Sequence, residues 1–103
     1  IGERIKRAYA YGGVKREQPF VFEYDRQLVQ GVIDLYFIED GQLVIVDYKT
    51  DRVLRGRAGE DELRRRYSIQ LDYYAMALSQ ITGLKVKEKV IYSFALGRSL
   101  TVE

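Results

Sequence analysis

The sequence predicts an α/β fold, a mixed sheet flanked by helices in the order αβββαβ. Three observations lead to it. The segments 20–24, 28–38, 43–49 and 86–95 are rich in valine, isoleucine and aromatic residues, a strand composition. Residues 60–81 instead place apolar side chains every three or four positions, the period of a helix. The middle strands carry apolar residues at both odd and even positions, so both faces of the sheet need a cover.

Residues 1 to about 11 read as a short helix, with Ile1, Ile5, Ala8 and Tyr9 on one stripe and Gly12-Gly13 as its stop. Pro19 opens the first extended run, Phe20 to Tyr24. The second and third strands are joined by Asp40-Gly41, the dipeptide of a two-residue type I′ hairpin turn. A loop from Thr50 to Gly59 carries Arg52, Arg55 and Arg57. The long helix begins with Glu60, Asp61 and Glu62, acids suited to a helix N-terminus, and Gly83 stops it. Its stripe is Tyr67, Leu71, Tyr74, Leu78 and Ile81. A strand over 86–95 follows, and a short one at Leu100-Thr101-Val102 closes the chain.

Composition narrows the chemistry. The 103 residues are 47% hydrophobic and 31% charged, the profile of one globular domain. Cysteine and histidine are both absent, which excludes disulfides, thiol nucleophiles, zinc ribbons, Ser-His-Asp triads and imidazole metal sites within this chain. What remains is carboxylate, lysine, tyrosine and hydroxyl chemistry, most naturally with a hard metal ion. A net charge of +2 does not by itself announce nucleic acid. The only methionine is Met76 and Ile1 opens inside an element, so the chain is expected to be a fragment of a longer protein. No apolar run approaches a membrane span and no secretory signal is visible, so an intracellular setting is expected.

The hairpin turn sets a register. With Asp40 and Gly41 as turn residues, cross-strand partners sum to the same number as Glu39 with Gln42, which sets Asp34 opposite Asp47. Two carboxylates facing each other among Val32, Ile33, Leu35, Ile45 and Val46 are unfavourable unless they share a proton or bind a cation. Lys49 falls on the same face as Asp47, because side chains alternate along a strand. A hard divalent cation uses such carboxylates, and a nearby ammonium orients a water or stabilises developing charge. The bland alternative, a simple Lys49–Asp47 pair with Asp34 at a strand edge, explains one acid more easily than two.

On the long helix, Gln70 and Tyr74 are one turn apart and Tyr67 lies one turn before Gln70, so all three project near one face. Gln70 is expected either to contact a metal-bound water or phosphate, with Tyr74 positioning it, or to be a surface amide bordering core tyrosines. The arginines at 52, 55, 57 and 64–66 are likewise either a grip on a DNA backbone or a solvated charged surface.

Taken together, Gly31-Val32-Ile33-Asp34, Val46-Asp47-Tyr48-Lys49-Thr50-Asp51-Arg52 and Gln70-Leu71-Asp72-Tyr73-Tyr74 resemble the GxxD, DYK and QxxxY motifs of the RecB-like branch of the PD-(D/E)xK nucleases. Their order and their placement on strand, strand and helix are far more specific than any one motif. Tyr92 to Gly97 and Asp47 to Arg52 look most like the C-terminal nuclease domains of AddA-type helicase–nucleases. The resemblance covers roughly residues 14–102 and implies a restriction-endonuclease-like αβββαβ core. It implies Mg²⁺, or Mn²⁺, held by Asp34, Asp47 and the Tyr48 carbonyl. It implies Lys49 as the group that orients water or stabilises charge, with Gln70 and Tyr74 shaping the site and touching DNA. It further implies an exonuclease working in double-strand-break repair and recombination, in the bacterial cytoplasm at the nucleoid, beside an AddB-like partner subunit. The alternatives are a stand-alone RecB-like exonuclease and a catalytically incomplete module that binds DNA or a partner. The family's usual active-site histidine, on a helix upstream of the sheet, has no counterpart here, so these 103 residues alone are expected to cut weakly or not at all. Glu17 lies near Asp34 only if the first hairpin has a matching register, and Asp25-Arg26 is a poor turn signal, so Glu17 receives no role.

Overall fold

A computed structural model describes residues 1–103. The elements are α1 (Gly2–Ala10), β1 (Val14–Tyr24), β2 (Gln27–Glu39), β3 (Gln42–Lys49), α2 (Arg57–Thr82), β4 (Val86–Ser93) and β5 (Arg98–Val102). The strands form one five-stranded sheet in chain order. Neighbours are antiparallel except β3 and β4, which run parallel because α2 carries the chain back along the sheet between them. No helix is long and apolar enough to cross a membrane.

Each face has its own core. On one, α2 presses Leu63, Leu71, Tyr74, Ala77 and Leu78 onto Phe20, Phe22, Ile33, Ile45, Ile91 and Leu100. On the other, α1 contributes Ala8, with Ile1 and Ile5 at its margin, against Leu35, Phe37, Val44, Val46 and Val90. The two-sided pattern of the middle strands is met this way, but unequally, since α1 spans only nine residues and α2 spans 26.

Element boundaries depart from expectation where backbone rather than side-chain pattern decides. The first strand begins at Val14, ahead of Pro19, because Val14, Lys15 and Arg16 pair with Phe37, Tyr36 and Leu35. Pro19 is tolerated because β1 is an edge strand. The long helix starts at Arg57, where Gly56 (φ 86°) makes the entry turn. Strand β4 stops at Ser93, where Gly97 N–H reaches the Ser93 carbonyl at 2.8 Å and closes a turn. Ile81, expected on the buried stripe, is 59% exposed, since the stripe rotates off the sheet in the last turn of α2.

The sheet carries one step. Phe20, Phe22 and Ile33 face α2, whereas Val14, Leu35 and Phe37 face α1, although Ile33 and Leu35 are two apart and in a regular strand would share a face. The alternation therefore breaks at Asp34. It breaks at the same level in β1, where Glu17 adopts φ 49° and the pairing passes from Arg16–Leu35 to Gln18–Ile33 without a Glu17–Asp34 pair. The β2–β3 ladder ends there too, at Leu35–Val46.

Gly59, in the first turn of α2, is buried against the loop before it. A Cβ there would lie 1.7 Å from the Leu54 carbonyl oxygen. Helix propensity alone favours Gly59→Ala by about 1 kcal/mol, but a clash with backbone admits no side-chain adjustment. We expect Gly59→Ala to destabilise the fold by more than about 2 kcal/mol, read as a lower urea midpoint at unchanged slope. A neutral or raised midpoint would show that the 50–56 loop yields freely.

Candidate active site

The step brings the sequence-flagged carboxylates together at the C-terminal end of β3. The expected register holds for all five pairs from Leu35–Val46 to Glu39–Gln42. It does not continue to a regular Asp34–Asp47 pair. Strands β2 and β3 splay after Leu35, and the Asp34 carboxylate fills the gap, accepting the Tyr48 N–H at 2.8 Å. That side chain thus does the work of a ladder bond while remaining next to Asp47.

Asp47 is 2% exposed, on the α2 side of β3. Burial, and then the neighbouring Asp34 carboxyl, push its pKa up to about 6, against the lowering influence of Lys49. Its Oδ2 lies 2.9 Å from the Lys49 ammonium, but off the direction a hydrogen bond requires, so this buried oxygen has no hydrogen-bond donor. Two neighbouring carboxylates are the hard oxygen donors a small divalent ion takes. No three carboxylate, imidazole or thiol side chains converge to form a complete cage, so such an ion would keep waters.

Lys49 is held from three sides. Besides Asp47, its ammonium donates to Gln70 Oε1 at 3.0 Å and sits 4.1 Å above the centre of the Tyr67 ring. The Tyr67 hydroxyl in turn donates to Asp51 Oδ2 at 2.6 Å, and Arg66 donates to the same oxygen at 3.0 Å. The spacing of Tyr67, Gln70 and Tyr74 on one helix face is realised, but their partners differ. Gln70 and Tyr67 flank Lys49. Tyr74 lies 7% exposed against Phe20, ring centres 5.4 Å apart, and makes no hydrogen bond to either carboxylate. Burial and the charges of Asp47 and Asp34 push its phenol up to about 12, so it remains protonated at neutral pH.

Two features went unread in the sequence. Asp25 and Arg26, with φ 51° and 63°, do form a tight two-residue turn, which places Glu17 beside Asp34. Arg16, Glu17, Asp34 and Tyr48 line one open groove of about 370 Å³. The alternating strands were the available signal, because the same cross-strand sum holds for ten pairs of that hairpin. The Tyr67–Asp51 link had no sequence signal beyond helix spacing. Of the basic residues, Arg64 to Arg66 pair with Asp61, Glu62 and Asp51, whereas Arg52 and Arg55 are exposed and form no ion pair.

The PD-(D/E)XK nuclease superfamily matches residues 3–100. The AddA chain of the ATP-dependent helicase/nuclease of Lachnoclostridium phytofermentans is 52% identical over 79 residues, 77% of this chain and 6% of that protein. Proteins of the same name from a Thermoanaerobacter species (41% over 115 residues, 97% of this chain and 9% of that protein) and from Clostridium botulinum (35% over 118 residues, 99% and 9%) are also similar. The chain therefore spans less than a tenth of the length of these relatives.

The raised Asp47 pKa has a stability consequence. The folded state holds a proton on Asp47 up to about pH 6, whereas the unfolded carboxyl titrates near 3.8. Folding takes up a proton between those values, so metal-free stability should fall as pH rises through that window, by on the order of 3 kcal/mol. Urea midpoints across the window, compared with Asp47→Asn, should show this fall in the parent and lose it in the variant. Parallel profiles would mean that Asp47 titrates normally.

Proposed function

This chain belongs to the PD-(D/E)XK nuclease superfamily, and from that premise we propose that its strand-end site hydrolyses DNA phosphodiester bonds with Mg²⁺, or Mn²⁺ in its place. The observation that carries the reading is the buried Asp47 oxygen without a donor, set beside a second carboxylate and a fixed ammonium. Asp34, Asp47 and the Tyr48 carbonyl would hold the ion, which when bound polarises a phosphate oxygen and makes a coordinated water a stronger nucleophile. Lys49, restrained by Asp47, Gln70 and the Tyr67 ring, presents its positive charge without reorganisation where charge builds on the phosphate. Gln70 orients that ammonium through its Oε1. Tyr74, protonated and wedged against Phe20, offers a neutral O–H at the margin of the site and no base.

The relatives' printed name supports placing this domain in an ATP-dependent helicase–nuclease, and its action there as an exonuclease in double-strand-break repair and recombination is part of our proposal. An AddB-like partner and a place at the bacterial nucleoid belong to the same proposal. Exposed and unpaired, Arg52 and Arg55 supply charge for the DNA backbone next to the site, whereas Arg64 to Arg66 are engaged on the helix surface.

Titration calorimetry separates the roles. Asp47→Ala should lose most Mg²⁺ affinity, whereas Lys49→Ala should retain it and, in a longer chain that restores the upstream histidine-bearing helix, lose cleavage of a labelled DNA strand by a factor of about 10² or more. Unchanged Mg²⁺ binding in Asp47→Ala would remove the site. Replacing Arg52, Arg55 and Arg57 together with alanine should flatten the slope of log affinity against log salt, by up to ~0.9 for each duplex phosphate that is no longer neutralised. An unchanged slope would assign these arginines to the solvated surface.

A further inference from the structure

The face of the sheet opposite α2 carries an aromatic cluster beside the carboxylates. Tyr48 on β3, Tyr92 on β4 and Phe94 just past β4 share that face. The Tyr48 and Phe94 rings stack at 5.8 Å and 29°, and Tyr92 meets Phe94 edge-on at 5.2 Å. Tyr48 and Tyr92 lean on the α1 core, but Phe94 is 58% exposed. The cluster is rigidly registered to the site, because Phe94 N–H donates to the Lys49 carbonyl at 3.0 Å and Tyr48 N–H donates to Asp34 at 2.8 Å.

Its surroundings indicate what kind of molecule it fits. Tyr48 is also a wall of the groove that Arg16, Glu17 and Asp34 line, so the path from carboxylate to ring is open and continuous. Arg16 is exposed, forms no ion pair and lies over the Tyr9 ring. An exposed phenylalanine ring in an aromatic cluster, near a guanidinium that forms no ion pair and donates to the Tyr9 hydroxyl, matches a ligand with a π-face and an anionic link, which describes a nucleotide better than an apolar peptide. In a duplex both faces of each base are covered by neighbouring bases, so only an unpaired base presents a free face to such a platform.

We propose that Tyr48, Tyr92 and Phe94 form a stacking subsite for an unpaired nucleobase of the DNA strand whose phosphodiester lies at the Asp34–Asp47 site. The inference rests on the nuclease reading above and adds to it a contact for the base, on the opposite face of the sheet from Lys49 and Gln70. Arg16 neutralises the adjacent phosphate.

Binding without divalent ion tests it independently of the metal. In EDTA at low salt, fluorescence anisotropy would follow the 103-residue chain binding a labelled oligothymidylate, an abasic strand of equal length and a blunt duplex. Phe94→Ala should weaken the oligothymidylate by roughly 5- to 150-fold, the range for losing one base–aromatic stack. Its affinities for the abasic strand and the duplex should stay within about twofold. Phe94→Leu, which keeps the apolar bulk and removes the ring, should behave like Phe94→Ala, and circular dichroism would verify that both fold. Equal oligothymidylate affinity in parent and variant, an equal loss on the abasic strand, rescue by leucine, or no oligothymidylate binding by the parent would each overturn the subsite. Since EDTA removes the ion, none of these results bears on Mg²⁺ binding at Asp47, which the calorimetry reads separately.

Discussion

The hydrogen bond from Tyr48 N–H to the Asp34 carboxylate is the contact on which the site depends. Where β2 leaves β3, the Tyr48 N–H would otherwise lose its place in the ladder, and an unmet buried donor costs about 1–3 kcal/mol. A charged acceptor meets that need with a stronger bond than a carbonyl would. The same carboxyl stands beside Asp47 and raises its pKa, so one side chain both closes the sheet and sets the protonation of the site. An ionised carboxylate has about four lone-pair positions, and a single N–H leaves most of them free. A structural and a chemical duty therefore coexist on Asp34 without competition.

The step in the sheet makes this possible. Regular alternation would carry Ile33 and Leu35 to one face, and the strand would hold either its α2 contacts or its α1 contacts at this level, but not both. Breaking the alternation at Asp34 and Glu17 lets Phe20, Phe22 and Ile33 serve the large core while Leu35 and Phe37 serve the small one. The strain of Glu17 at φ 49° is supported by pairing on either side of it. The only irregularity shared by both strands thus coincides with the carboxylates.

Much of this was legible in the sequence, for identifiable reasons. Asp40-Gly41 fixed the second hairpin, since both residues adopt positive φ readily, and the five pairs that followed were correct. The spacing of Lys49 from Asp47 and of Gln70 from Tyr74 on regular elements placed their faces correctly. The end of the ladder at Leu35 could not be read, because it results from packing on two faces at once and leaves no local pattern. The Asp25-Arg26 turn was obscure because arginine at φ 63° is locally unfavourable and is held there by the strands on either side. Glu17 was missed for the same reason.

The loop between β3 and α2 is fastened at both ends, by Asp51 to Tyr67 and Arg66 and by the Leu54 carbonyl packed on Gly59. A protease must draw several extended residues into its cleft, and a segment tethered this way yields them only when part of the fold opens. Residues 52–56, exposed except for the half-buried Val53 and containing two arginines, have the chemistry that trypsin seeks, without the slack to deliver it. Their resistance to nicking would then follow the opening of α2's first turn, making this loop a natural reporter of that helix end.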